Sequence, residues 1–220
     1  FSIESKTLVE QGFLAAAQVK HVMVDFPHEM RRQYDQAGGH EQNNLCTLNP
    51  NKFPVIQRLV KEHEAKGDKI LIYGDSVQKT REYAVKLERP FIDGNVPDTE
   101  RMMLLAAFQY TEVVNTLCVT RVGDQAIDLP GANVLIQFDS HGGGRRQEAQ
   151  RLGRIMRPGK PAMMYSLVTP HTREAEFAKK RAKYLFELGY IARPLYHEPK
   201  KRKKRPAPFK FVFPKKIKIT

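Results

Sequence analysis

Short, mainly apolar runs without alternation constrain the fold of this chain more than any other feature of its sequence. They are four to seven residues long and occupy Ile70–Tyr73, Thr116–Val119, Val134–Phe138 and Ala162–Val168. Apolar runs without alternation are typical of strands that are covered on both faces. Amphipathic segments that predict helices lie between and around them, at 51–65, 77–88, 98–108, 145–156 and 172–188. This pattern predicts an α/β fold with a mostly parallel sheet covered by helices on both faces.

The chain divides into three parts by composition. In residues 1–45 we expect a connector that includes a strand at 19–26, a short helix at 27–34 and a mobile loop at 36–44, where the sequence is polar, glycine-bearing and aperiodic. Residues 46–196 form the main domain, and residues 197–220 form a basic tail without amphipathic pattern that we expect to be disordered until bound.

The positive charge is concentrated in the tail. The whole chain carries a formal charge of +13, of which residues 197–220 contribute +9, so the preceding 196 residues carry only +4. A polyanionic partner is indicated. The run Lys200–Arg205, flanked by prolines, is typical of a nuclear localisation signal, and such runs also bind DNA phosphates; a merely solvated tail is the alternative. Alternating phenylalanines at 209, 211 and 213 are suited to adding a strand to a partner's sheet edge.

Cysteine spacing and hydropathy exclude several protein classes. Cys46 and Cys118 lie far apart without a CxxC pair, and no secretory signal precedes them. We expect neither a zinc cluster nor a disulfide framework, and an intracellular chain. No apolar run approaches the roughly 20 residues of a membrane span, which predicts no membrane association.

Two elements of a self-sufficient nucleotide hydrolase are missing from the sequence. There is no GxxxxGK[ST] loop to hold phosphates, and no paired Asp-Glu follows an apolar strand to hold magnesium. We therefore expect this chain to be inactive by itself.

The stretch Ser140–Arg157, which follows the apolar run ending at Phe138, carries the most information about chemistry. On a helix, four of its polar side chains fall within an arc of about 80°, opposite an apolar face. The polar side chains are Gln147, Gln150, Arg154 and Arg157. The apolar face comprises Ala149, Leu152 and Met156. Guanidiniums and amides on one face can bind a polyphosphate. A solvated helix face is the alternative, although it usually contains glutamates at i+4 spacing.

The segment Gln150–Arg157 resembles the QRxGRxxR motif of superfamily two helicases. The longer string from Ser140 to Arg154 is similar to the XPB family, whose members are DNA translocase subunits of transcription factor TFIIH. Further co-linear matches bring the resemblance to roughly residues 45–190; they are Asn49–Phe53, Val122–Asp124 with Asp128–Pro130, Ala132–Gln137 and Tyr165–Val168.

This resemblance implies a fold and an activity. In the family two RecA-like lobes hold ATP between them, and the phosphate loop and magnesium-binding acids belong to the first lobe. The present sequence resembles the second lobe, which implies a longer, ATP-dependent DNA helicase or translocase in the nucleus. The implied work is DNA opening in transcription initiation and nucleotide excision repair, and the implied partners are duplex DNA, the N-terminal lobe and other TFIIH subunits. ATP and Mg²⁺ would be bound jointly with that lobe.

The resemblance also implies roles for individual residues. Arg154 and Arg157 would be arginine fingers; Gln150, Asp128 and Gly123 would contact the nucleotide; Thr120, Arg121 and Ser76 would contact DNA. Ala126 stands where many family members have glycine.

Ordinary structural roles remain open for some of these residues. Ser76 is suited to capping a helix as well as to binding a phosphate. Asp128 is suited to a turn, and we expect Arg151 to face the sheet rather than the nucleotide.

A second function is compatible with the same residues. The chain would then be a non-catalytic nuclear DNA-binding or scaffolding module that retains a degenerate helicase lobe. In either case we expect a monomer, since the pattern leaves no apolar stripe uncovered once the sheet is buried.

Overall fold

The computed structural model describes residues 17–120, 131–139, 145–156 and 159–191, together with Thr7, Gln11 and Ala15. These residues form six strands and seven helices. The strands are β1 (Ala17–Met23), β2 (Ile70–Tyr73), β3 (Phe91–Ile92), β4 (Thr116–Val119), β5 (Val134–Gln137) and β6 (Ala162–Val168). The helices are α1 (His28–Gln36), α2 (Gly39–Leu48), α3 (Lys52–Glu64), α4 (Val77–Leu87), α5 (Asp98–Tyr110), α6 (Arg145–Ile155) and α7 (Arg173–Glu187).

The strands form one sheet in the order β1-β6-β5-β2-β4-β3, and every pairing is parallel. Every residue of β2, β4 and β5 is buried, as predicted from apolar runs without alternation. The predicted α/β lobe is therefore confirmed. All six strands end at the same edge of the sheet, which brings the residues that follow them close together.

Helices cover both faces of this sheet. On one face α5, α6 and α7 contribute Phe108, Leu152 and Leu185 to a single core. On the other face α3 and α4 contribute Ile56 and Tyr83 to a second core. Each buried strand supplies alternate side chains to the two cores.

The N-terminal part differs from the sequence-based prediction. The predicted loop at 36–44 is wrong, because α2 occupies Gly39–Leu48. This helix has little amphipathic character, so periodicity could not reveal it; tertiary contacts hold it instead. Cys46 packs against Phe26 and Tyr34, and the Gln42 side-chain amide donates a hydrogen bond to the Tyr34 carbonyl at 3.2 Å.

β1 belongs to the same sheet as the main domain. It spans Ala17–Met23, earlier in the chain than predicted, and pairs with β6 along its whole length. The predicted connector therefore contributes a strand to the sheet of the main domain. The domain boundary at residue 45 stays a prediction.

A fully buried lysine connects three elements at the carboxyl edge of the sheet. The Lys52 ammonium of α3 donates hydrogen bonds to the Phe138 carbonyl at 2.8 Å and to the Glu174 carboxylate of α7 at 2.7 Å. The other Glu174 oxygen accepts from the Thr169 backbone N–H at 2.7 Å. Both charges are thereby compensated, and α3, β5 and α7 are fixed relative to one another.

Both cysteines are buried free thiols. Burial raises the pKa of Cys46 to about 11 and that of Cys118 to about 12. Among the described residues no helix is long and apolar enough to cross a membrane, and no group of three or more His, Cys, Asp or Glu side chains could hold a metal ion.

His21 lies on β1 beneath α7 and is 4% exposed. Burial, together with the nearby Arg181 guanidinium, lowers its pKa from 6.5 to about 4. Between about pH 4 and pH 6.5 the His21 imidazole binds a proton in the unfolded state but stays neutral in the folded protein. Stability must therefore rise with pH across this window.

We expect His21 to make the protein less stable at pH 4.5 than at pH 7, by up to about 3 kcal/mol in the free energy of unfolding. Urea unfolding of the wild type and of His21→Leu at both pH values measures this contribution. His28→Leu, at an exposed position of α1, is the matched control for loss of a histidine. If the free energy of unfolding falls equally between pH 7 and pH 4.5 in the wild type and in His21→Leu, His21 is not the source of the acid sensitivity.

Candidate functional site

Polar side chains follow the strands at the carboxyl edge of the sheet. Asp75 and Ser76 follow β2, Asp139 comes shortly after β5, Thr120 follows β4 and Asp93 follows β3. In open α/β sheets ligands bind at this edge, because the connections to the helices leave a crevice there. A functional site is therefore expected at the carboxyl edge of the sheet.

Helix α6 has one buried and one outward face, as its sequence predicted. The buried apolar face includes Ala149 and Leu152, and Met156 directly after the helix is buried as well. On the outward face Gln150 is exposed, and Gln147 and Arg154 are half-buried. The helix therefore leaves the Gln150 amide exposed and the Arg154 side chain partly exposed.

Arg151 contacts the sheet instead. Its guanidinium donates hydrogen bonds to the Gln137 side-chain oxygen of β5 at 3.1 Å and to the Tyr73 hydroxyl of β2. It also forms an ion pair of 3.3 Å with Asp75 and stacks 3.6 Å from the centre of the Tyr73 ring. The predicted structural role of Arg151 is confirmed.

A second buried ion pair fixes α6 from the side of α7. The Arg181 guanidinium pairs with the Glu148 carboxylate, and the two side chains are 2% and 1% exposed. Glu148 thus points towards α7 rather than towards the outward arginine face. Two buried charged contacts, one to the sheet and one to α7, set the orientation of α6.

Asp139 organises the turn that leads from β2 into α4. Its carboxylate accepts hydrogen bonds from the Ser76 backbone N–H and from the Thr47 hydroxyl of α2, both at 2.9 Å. The Ser76 hydroxyl accepts from the Lys79 backbone N–H and so caps α4. The capping role considered for Ser76 is confirmed, while its contact with DNA stays a prediction.

The end of β3 carries a further buried acid. The Asp93 carboxylate pairs with the Arg81 guanidinium of α4 at 2.9 Å and accepts from the Asn95 backbone N–H at 2.9 Å. Burial acts to raise the pKa of Asp93, but these two partners outweigh it and hold the pKa below its usual value. Asp93 is therefore a negatively charged anchor of the turn after β3.

The roles of five further site residues stay predictions. Thr120 lies at the carboxyl edge but is 2% exposed, so its contact with a DNA phosphate stays a prediction. Four predicted residues lie outside the described part of the chain, namely Arg121, Gly123, Asp128 and Arg157.

Sequence reasoning missed the partners of Arg151. One signal was present, since Gln137 is a polar residue directly at the end of a buried apolar run. A buried amide needs a hydrogen-bonding partner. Tyr73 and Asp75 gave no such signal, because a tyrosine that ends a strand and an acid in a turn are both common.

A comparison with protein families finds a match over nearly the whole chain. Residues 8–212 match the family described as the ERCC3/RAD25/XPB C-terminal helicase. Two curated relatives are each named as a helicase/translocase subunit of general transcription and DNA repair factor IIH. The XPB/SSL2 subunit of Saccharomyces cerevisiae is 41% identical over 196 residues, which cover 86% of this chain and 23% of that protein. The XPB subunit of Schizosaccharomyces pombe is 43% identical over 189 residues, covering 83% and 24%.

This chain thus spans about a quarter of the length of these two relatives. Among solved structures, the C-terminal part of the Fun30 ATPase domain shares the fold with a TM-score of 0.52 at 21% identity. That match covers 60% of this chain and 46% of the other. From the family match, the identity with these relatives and the parallel sheet, we conclude that the chain belongs to the ERCC3/RAD25/XPB C-terminal helicase family.

Proposed function

We propose that this chain is the second RecA-like lobe of an ATP-dependent DNA translocase that works within TFIIH. Its activity would be the opening of duplex DNA for transcription initiation and nucleotide excision repair. The observation that carries the proposal is the orientation of α6, in which Arg151 is bound to the sheet while Gln150 is exposed and Arg154 is half-buried. The relatives named as helicase/translocase subunits favour this enzyme over a non-catalytic DNA-binding or scaffolding module.

The outward face of α6 has the chemistry that a nucleoside triphosphate requires. Phosphoryl transfer gathers negative charge on the transferred group, and an arginine supplied across an interface stabilises that charge. Arg154 and Arg157 would be the fingers, and Gln150, Gly123 and Asp128 would contact the nucleotide. ATP and Mg²⁺ would be held jointly with the other lobe, because the present sequence contains no GxxxxGK[ST] loop.

DNA would bind at the carboxyl edge and along the basic tail. Thr120, Arg121 and Ser76 are the candidates for phosphate contacts at the edge. The run Lys200–Arg205 would serve in nuclear import and would add affinity for DNA that does not depend on sequence. Other subunits of TFIIH are the proposed protein partners.

The first test concerns the proposed finger on α6. In the full-length protein Arg154→Ala should lower ATP turnover by about 10³-fold or more and change KM for ATP much less, because the contact is made mainly in the transition state. Arg154→Lys should not restore turnover, since an ammonium cannot reproduce the bidentate guanidinium. DNA-stimulated ATPase assays measure both constants.

Arg58→Ala is the matched control for this test, because Arg58 is exposed on α3 on the other side of the sheet. Turnover in Arg154→Ala equal to that of the control would show that the α6 face is only solvated. The isolated chain should show no ATPase activity; turnover by it would contradict the proposed division of the ATP site between two lobes.

The second test concerns the basic tail. With +9 of the total charge of +13, it should provide most of the affinity of this chain for non-specific DNA. A tail that neutralises four to six phosphates gives a slope of about −4 to −5 in log K against log salt concentration. Truncation after Tyr196 should remove most of this slope, as measured by fluorescence anisotropy at several salt concentrations.

A scrambled tail of unchanged composition separates the two roles of this segment. It should keep the salt slope, which depends on total charge, but should lose nuclear import of a tagged chain, which depends on the order of residues. Import that survives scrambling would refute the localisation signal, and a salt slope that survives truncation would refute the role in DNA binding.

A further inference from the structure

The outward surface of α5 is apolar, contrary to the expectation that no apolar stripe would be left uncovered. Met102, Met103 and Tyr110 are 70%, 69% and 77% exposed, and Ala106 between them is also exposed. The spacing 102, 106, 110 places these side chains along one stripe of the helix. Val113, in the segment after the helix, is exposed as well. We call this surface, formed by residues 102, 103, 106, 110 and 113, the α5 face.

The segment that carries the α5 face is acidic, although the Lys69 ammonium lies against its C-terminal end and donates a hydrogen bond to the Val114 carbonyl at 3.1 Å. Between residues 98 and 113 there are three acids, Asp98, Glu100 and Glu112, and one base, Arg101, so the net charge is −2 on a chain of +13. Arg101 forms an ion pair with Asp98 at 3.0 Å and also donates to the Val96 carbonyl at 2.9 Å. A partner that matches this surface is apolar and positively charged.

We propose that the α5 face binds the Phe209–Lys216 segment of this same chain. The segment alternates three phenylalanines with other residues and contains three lysines and no acid. In an extended conformation alternate side chains lie on one side, so Phe209 to Phe213 span about 13 Å. Met102 to Tyr110 span about 12 Å along α5, which matches that length. Methionine sulfur and phenylalanine rings make favourable contacts.

The segment can reach the α5 face within one molecule. Ile191, the last described residue, packs in the same core as Phe108 of α5, so both lie on the same side of the sheet. Seventeen residues lie between it and Phe209. The connection can therefore extend about 59 Å, whereas a six-stranded sheet is only about 24 Å wide. A tether of this kind gives an effective concentration in the millimolar range, which favours binding even when each contact is weak.

Charge also distinguishes this occupant from a second copy of α5. Two α5 faces packed against each other would bring the acids at 98, 100 and 112 of both copies together, and like charges at such a contact are unfavourable. The lysines at 210, 215 and 216 are instead opposite in sign to these acids. The proposal does not depend on ATP hydrolysis and can fail or succeed independently of the proposed function.

A tryptophan substitution provides the test, because the chain contains no natural tryptophan. In the full chain carrying Phe211→Trp we expect emission at shorter wavelength and weaker acrylamide quenching than in the same chain in urea. Adding Met102→Ser and Met103→Ser should shift the emission towards that of solvent-exposed tryptophan. Val85→Ser is the matched control, since Val85 is 72% exposed on α4, which packs on the opposite face of the sheet, and should change nothing.

A second measurement leaves the phenylalanines intact. Methyl NMR signals of Met102 and Met103 should shift when residues 209–220 are deleted, and those of other methionines should not. If the tryptophan of the Phe211→Trp chain emits as in solvent and deletion of residues 209–220 leaves the Met102 and Met103 methyl signals unshifted, the proposal is overturned. A dimer that survives deletion of 209–220 but is lost in the double serine variant would also overturn it, in favour of a second copy as the occupant.

Discussion

The buried guanidinium of Arg151 is the interaction on which the candidate site depends. The side chain is 4% exposed, and an arginine cannot lose its charge in a protein, so its position must supply partners. Gln137 and Tyr73 do so from two neighbouring strands, and Asp75 does so from the turn after β2. These contacts fix the rotation of α6 about its own axis and attach it to the carboxyl edge of the sheet.

The orientation of the neighbouring side chains follows from helical geometry. With Arg151 bound to the sheet and Glu148 bound to α7, Gln150 is exposed and Arg154 lies half-buried at the border of the outward face. One helix therefore uses one arginine for folding and another for the proposed chemistry, although the two lie only about 60° apart around the helix axis. The same division explains why a short, arginine-rich helix can be stable beside a parallel sheet.

Periodicity predicted those parts of the fold that depend on burial alone. The four apolar runs and five amphipathic segments correspond to β2, β4, β5 and β6 and to α3 through α7. α2 and the two-residue strand β3 were missed, since contacts distant in sequence stabilise them and leave no local pattern. The exposed methionines of α5 were missed for a related reason, because a pattern of apolar residues does not show which of them the sheet will cover. In the site, the outward face of α6 was predictable, whereas the Asp75 partner of Arg151 comes from a turn 76 residues earlier.

The unfolding free energies of Arg151→Ala and Arg154→Ala in this chain test the central claim most directly. Removing Arg151 leaves the Asp75 carboxylate buried without its counter-charge, so urea denaturation should show a loss of about 3–5 kcal/mol. Removing Arg154, which is half-buried on the same helix, should cost less than removing Arg151, because it leaves no such buried carboxylate unpaired. Equal losses, or a larger loss for Arg154, would contradict the assignment of one arginine to the fold and the other to the nucleotide.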